Sequence, residues 1–365
     1  MLGRFVGAKY NDKPYDIVSE DVKKIANESD YIIANLESPI TTQESTSSLA
    51  FAGDLSLLEQ LKWVDMFSLA NNHINDFGED GITETLNALD NNGLKHNGIF
   101  KNQYEPFIID DLSVAGGNKV AIVTCTDMLN VEMSDNSQYK LLRADSDSVN
   151  EIIRAYNELG YFTILFSHCG SLFSRYPNPL IRDMLYSAID VGAKCVVTCH
   201  SHCLGGMDIY KGVPIFYSIG DFLMDGGSYR RRQACMLQLD IREGRLEKWT
   251  ISPTITNKEL QTVMPSEHQR RKLIRGFEEV SSRMQRPRKD YSRFYKWQYK
   301  SEILSHSLST LYFLFASKGL WGSLKILKVR FLDVLRMAHR IIFDRSKVRY
   351  DADAVNDNLK NSDIQ

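Results

Sequence analysis

The chain has 365 residues, 43% hydrophobic and 25% charged, with a formal net charge of −2. This composition excludes a disordered, collagen-like or disulfide-scaffold protein, and the length suggests roughly two domains. No apolar run of about 18 residues occurs, and the opening MLGRFVGAKYNDKPYD has no apolar h-region, so neither a membrane span nor an export signal is expected in the chain as written.

In chain order, the runs YIIANLE (31–37), MFSLANN (66–72), KVAIVTCT (119–126), FTILFSH (162–168), CVVTCHS (195–201) and PIFYSIG (214–220) are short, apolar and often β-branched. They read as strands buried on both faces. Between them SLLEQLK (56–62), DGITETLNALDNNG (80–93) and LIRDMLYSAIDVGA (180–193) carry helical spacing. The helix at 80–93 opens on acidic residues and closes on Asn92-Gly93, sound start and stop signals. ACMLQLDIREGRLEKWTI (234–251) reads as a hairpin turning at Glu243-Gly244. The first 250 residues or so are therefore expected to form one α/β domain with antiparallel pieces near its end.

After Pro253 the pattern changes to basic helix. Residues 266–350 hold 20 Lys and Arg against 7 Asp and Glu, residues 1–265 hold 23 against 35, and the last fifteen hold 1 against 4. Such a split points to modules with different partners. In SLKILKVRFLDVLRMAHRIIF the residues Leu324, Leu327, Phe331, Leu335 and Ile342 recur at helical spacing beside Lys325, Lys328, Arg336 and Arg340. That stripe suits either a packed helical appendage or docking on an anionic membrane surface. A nucleic-acid partner is the disfavoured third reading of the basic, aromatic stretch around Phe294, Tyr295, Trp297 and Tyr299. The division expected is 1–254, 255–350 and a disordered tail at 351–365.

Six cysteines without a C-x-x-C pair read as free thiols. Zinc ligation by Cys199 and Cys203, which flank His200 and His202, is the lesser alternative. Four of the eight histidines, His73, His168, His200 and His202, end or directly follow strands, as do Glu37 and Asn72. Any one such histidine is most simply a hydrogen-bonded core residue. Together they are the donor set of a di-metal hydrolase, because imidazole suits transition metals and a carboxylate bridges two ions. Asp76 is either a helix-entry residue or the acceptor that fixes the tautomer of His73.

The segments ANLESPIT, SLANNHINDFGEDGITETLNAL, GLKHNGI, SHCG, DVGAKCVVTCHSHCLGG and IFYSIGDF, in this order over residues 1 to about 251, resemble the CapA family of capsule and poly-γ-glutamate synthesis proteins. The resemblance implies a calcineurin-like metallophosphatase fold, a β-sandwich flanked by helices, holding two divalent ions (Mn, Fe or Zn). It implies Glu37, Asn72, His168, His200 and His202 as metal ligands and His73 as the catalytic acid; Asp221, where the family has Asn, keeps an oxygen ligand for the metal, and Asp76 joins His73 in the catalytic pair on the reading of the residues given above. The resemblance further implies a bacterial protein that works with surface-polymer biosynthesis machinery; the lack of an export signal and the basic stripe, outside the resemblance, give the expectation of a cytoplasmic protein peripheral to the membrane through 266–350. The activity implied is hydrolysis of phosphoester or amide-like bonds; the alternative is a non-catalytic accessory of a membrane-bound synthase.

The chain also departs from the family pattern. The family opens with a strand ending in Gly-Asp, followed closely by Met-Leu-Gly-Arg, whereas this chain starts at Met1-Leu2-Gly3-Arg4, and Gly53-Asp54 falls too late to replace that pair. Leu172 stands where the family has Glu, Cys169 where it has Trp, Cys199 where it has Gly, and Asp221 where it has Asn.

Overall fold

The computed structural model describes residues 1–10, 15–44, 50–110, 119–225, 229–302 and 305. Its helices are α1 (Arg4–Tyr10), α2 (Glu20–Ala26), α3 (Gly78–Asn91), α4 (Ser146–Glu158), α5 (Pro179–Asp190) and α6 (Glu267–Met284). The strands begin with β1 (Ile33–Asn35), β2 (Met66–Ser68), β3 (Lys95–Asn97), β4 (Ile99–Phe100), β5 (Phe107–Ile109), β6 (Val120–Thr126) and β7 (Lys140–Leu141). They continue with β8 (Phe162–His168), β9 (Cys195–Cys199), β10 (Met207–Tyr210), β11 (Val213–Phe216), β12 (Gln233–Arg242), β13 (Arg245–Thr256) and β14 (Thr262–Val263). The chain divides into a unit Met1–Ile303 and a unit Leu304–Gln365, and the fold below is that of the first.

A six-stranded sheet in the order β10-β11-β9-β8-β6-β5 forms the centre. Strands β11, β9, β8 and β6 run parallel, with antiparallel strands at both edges. All seven residues of β6 and of β8 are buried, as their unbroken apolar runs require of strands covered on both faces. One face, with Val123, Cys125, Leu165 and Val196, packs on Val149 and Ile153 of α4, Met184, Leu185 and Ala188 of α5, and Val280 and Met284 of α6. The other face, with Ile122, Ile164, Phe166 and Val197, looks toward Met66 of β2 and Leu237 and Trp249 of the β12–β13 hairpin. The small parallel sheet β1-β2-β3 turns its far side to α1, α2 and α3 through Val6, Val22, Ile82 and Leu89. Helices thus flank two facing layers of sheet.

Several elements are shorter than their sequence runs. The strand expected at 31–37 is only Ile33–Asn35, and that at 66–72 stops at Ser68, because the Asn and Glu that follow turn away from the ladder into polar contacts. The segment 56–62 is a 3-10 helix, Leu55–Leu61, whose Asp54 cap accepts from the Ser56 amide. Asp54 is therefore a capping residue. The hairpin turns at Glu243 and Gly244, both with positive φ.

The basic segment begins with α6, closed at its start by a Ser266–Gln269 capping box. Leu273, Val280 and Met284 recur on its buried face, and residues 288–302 continue as helix with Tyr291 and Tyr295 in the same core. Its described part is therefore integral to the first unit. The stripe at 324–342 and the tail at 351–365 lie outside the described residues. Among the described residues, no helix is long and apolar enough to cross a membrane.

Candidate metal centre

The centre lies at the C-terminal ends of β1, β2, β8 and β9, where the chain leaves the sheets and side chains converge. Asn71 fastens two of these ends: its Nδ2 donates to Leu36 O at 2.8 Å and its Oδ1 accepts from the His73 amide at 3.1 Å. Gly98 permits the close approach of the GLKHNGI segment, since at φ 112 a Cβ there would stand 2.5 Å from the Ala70 nitrogen. Gly78, at φ 65, provides the left-handed turn into α3.

Glu37, His168 and His200 each present one donor atom, and these atoms lie within 4.8 Å of one another. Glu37 Oε1 is 3.5 Å from His168 Nε2 and 3.7 Å from His202 Nε2, while His200 Nδ1 is 3.1 Å from His168 Nε2. All are buried. Glu37 Oε1, His168 Nδ1, His200 Nε2 and Asp221 Oδ2 have no hydrogen-bond partner. Buried polar atoms left in this state are costly unless something else occupies them. A carboxylate and two imidazoles at this spacing fit a divalent transition metal.

The electrostatics agree. Burial pushes the Glu37 carboxyl up, but His202, His168 and His73 outweigh it and hold the group well below the usual carboxylate range, so it is ionised. Burial, with His168 and His202 close by, depresses His200, which keeps it a neutral ligand. Burial also lowers His202, but Asp221 and Glu37 overcome it and raise that imidazole.

The other expected residues surround this group. Asn72 Oδ1 is 2.8 Å from His168 Nε2. Asp221 Oδ1 is 2.8 Å from His202 Nδ1 and orients that ring. His73 Nδ1 is 2.7 Å from Asp76 Oδ2, both side chains buried. The H-x-H turn is strained: His200 and His202 have φ of 90° and 55°, and Phe173 and Ser218 nearby have 61° and 60°. No cysteine is in the metal-capable group found among the described residues. Cys199 alternates with Cys195 and Val197 into the apolar inter-sheet core, and burial pushes the Cys203 thiol up to about 12.

Two residues of the loop after β6 escaped sequence reasoning. Asn130 accepts from Asn72 Nδ2 at 3.1 Å, and its own Nδ2 is 3.1 Å from His73 Nδ1. Asp127 accepts from the Gly170 amide at 3.0 Å, and burial pushes its carboxyl up. The available signal was the one used elsewhere, a polar residue just past a buried strand.

Fold and site define an α/β protein with a buried carboxylate–histidine group, of a kind that could hold a metal ion, at its strand ends. Residues 1–226 match the bacterial capsule synthesis protein family PGA_cap, and the chain belongs to that family. It is 25% identical over 260 residues to the PGA biosynthesis protein CapA of Bacillus subtilis, covering 69% of this chain and 68% of that one. It is 27% identical over 256 residues to the capsule biosynthesis protein CapA of Bacillus anthracis, covering 67% of this chain and 62% of that one. Among solved structures it resembles the sulfate thiohydrolase SoxB of Thermus thermophilus, at 15% identity and a TM-score of 0.37, over 62% of this chain and 40% of that one. At that score the likeness supports no conclusion about mechanism.

Proposed function

We propose that the protein is a metal-dependent hydrolase that cleaves phosphoester or amide-like bonds during synthesis or trimming of a bacterial surface polymer, poly-γ-glutamate or an exopolysaccharide. The observation that carries this reading is the convergence of Glu37, His168 and His200, each of which also has a buried polar atom without a hydrogen-bond partner, beside the His73–Asp76 pair. Glu37, His168 and His200 would hold an ion, with Asn72, His202 and Asp221 completing or orienting a two-ion set of Mn, Fe or Zn. When bound, such ions supply Lewis-acid activation of water and neutralise developing charge. The chain's own part is positioning and proton transfer. Asp76 accepts from His73 Nδ1, which fixes the tautomer and stabilises the imidazolium, and His73 Nε2 gives its proton to the leaving group. Asn130 limits the rotation of that ring.

A second reading, a non-catalytic accessory of a membrane-bound synthase, is favoured by one observation: the position where the family has Glu is the apolar Leu172, next in the chain to Phe173, whose ring is 6.2 Å from the His202 ring. Metal analysis together with turnover of bis(4-nitrophenyl) phosphate and a γ-glutamyl anilide separates the two. The hydrolase reading expects bound metal and turnover that His73→Ala abolishes without loss of metal. Full metal with no turnover favours the accessory. Undiminished metal after replacing His168, His200 and His202 together ends the metal-site assignment on which the hydrolase reading rests.

A further inference from the structure

Beside the metal centre one cation has donors to spare. Arg231, on the 3-10 turn Tyr229–Arg232, is half-buried. Its guanidinium carbon stands 5.2 Å from the centroid of the Phe173 ring, and that ring is 6.2 Å from the ring of His202. Nη2 reaches only the thioether of Met224, at 3.6 Å, and Nε is buried with no hydrogen-bond partner. Among the described residues no carboxylate pairs with this guanidinium. Its charge is nonetheless felt at the centre, where it opposes protonation of His202.

The other buried arginine shows what is missing. Arg182 donates to Asp208, to Tyr186 Oη and to Met284 O. A structural guanidinium is closed in this way because a buried N–H without an acceptor is costly. Arg231 lies instead on an aromatic face, which holds the cation in place without using its N–H donors. That face is itself fixed. The Phe173 amide donates to Ser201 O at 2.8 Å, Ser174 Oγ and the Arg175 amide donate to buried Glu302 at 2.9 and 3.1 Å, and Ser171 Oγ is 2.6 Å from Tyr295 Oη. The guanidinium is therefore pre-positioned, which lowers the cost of binding.

We propose that Arg231 is the anion-recognition residue of this site, and that the substrate carries a phosphoryl or carboxylate group on the His202 side of the bond to be cleaved. A planar guanidinium fork matches either oxyanion through parallel N–H···O bonds. A neutral hydroxyl would give Nε an acceptor but leave the charge uncompensated, and an apolar substituent would do neither. That the bound anion belongs to a substrate rests on the hydrolase reading; that an anion binds at Arg231 does not.

The test labels the arginines of the full chain with nitrogen-15 and follows the Arg231 Nε–H resonance, assigned by its loss in Arg231→Lys and Arg231→Met, as sodium phosphate or sodium L-glutamate is added. Calorimetry on the same proteins gives the affinities. The expected result is a saturable shift with phosphate, glutamate or both, the responding anion naming the group the substrate carries. Affinity for that anion should fall at least about tenfold in Arg231→Met and by less in Arg231→Lys, which keeps the charge but loses the fork. A shift from neither anion, or an equal shift from sodium chloride at the same ionic strength, overturns the proposal. So does an affinity unchanged in Arg231→Met, since the anion would then sit elsewhere in the centre. If Arg231→Met does not fold, the resonance assigned through Arg231→Lys still decides. No turnover enters these readouts. A protein that binds the anion at Arg231 and turns nothing over keeps this inference and loses the hydrolase reading, and one that turns over with the resonance unmoved does the reverse.

Discussion

Two buried polar clusters in this protein look alike in composition and differ in their hydrogen bonding. Behind the sheet, Arg182 Nη2 donates to Asp208 Oδ2 at 2.8 Å and to Met284 O at 2.9 Å, its Nε donates to Tyr186 Oη at 2.7 Å, and Asp208 Oδ1 accepts from the Ile209 amide at 2.9 Å. No buried polar atom of Arg182 or Asp208 lacks a partner. At the strand ends, Glu37, His168, His200 and Asp221 each keep one such atom. A closed network fixes the helical layer, joining α5 to β10 and the end of α6. An open one has room in its bonding for an ion. How the charged groups are partnered distinguishes these two clusters, which burial and charge do not.

The contrast can be broken by mutation, most severely on the closed side. Asp208→Ala leaves the Arg182 charge buried without its partner and is expected to cost about 3–5 kcal/mol in chemical denaturation, while metal stoichiometry in the surviving folded fraction is unchanged. On the open side, His73→Ala is expected to lower turnover by about 10²–10⁴-fold with full metal content, the range for loss of a general acid. His200→Ala should weaken metal binding by more than about 100-fold, against about 10–100-fold for Asp221→Asn, which only misorients His202. Competition with a chelator measures both.

The smallest effect sharpens the comparison through pH. Burial raises the Asp127 carboxyl, so the fold disfavours its ionised form. That penalty is absent below about pH 4, where the unfolded carboxyl is also protonated, and it develops as pH rises past that point. Asp127→Asn should therefore raise Tm at pH 7 and converge with the parent near pH 4. A constant difference across that range would show that the loss of charge is not what matters.

Periodicity made the central layers legible. FTILFSH and KVAIVTCT read as strands because their apolar runs are short, unbroken and β-branched, and α3 and α5 as helices because their apolar residues recur on one face. The same reading missed α4, whose Val149 and Ile153 are the only fully buried pair among polar neighbours. The histidines were found because polar residues at the ends of buried strands stand out against the runs before them. Asn130 was not, since its role depends on a loop meeting Asn72 and His73 from far along the chain.

What the sequence determined by itself is whatever short-range spacing encodes: strands, helices, the His73–Asp76 separation of three residues and the H-x-H turn. The tertiary structure alone decided the long-range partnerships. His168 meets Asn72 across 96 residues, and Arg182 meets Met284 across 102. It also decided that Cys199 faces the apolar core and that α6 joins the first unit. Side-chain alternation is a local property of the backbone, whereas the identity of the atom facing each side chain is set by how layers stack, which no spacing within one segment can specify.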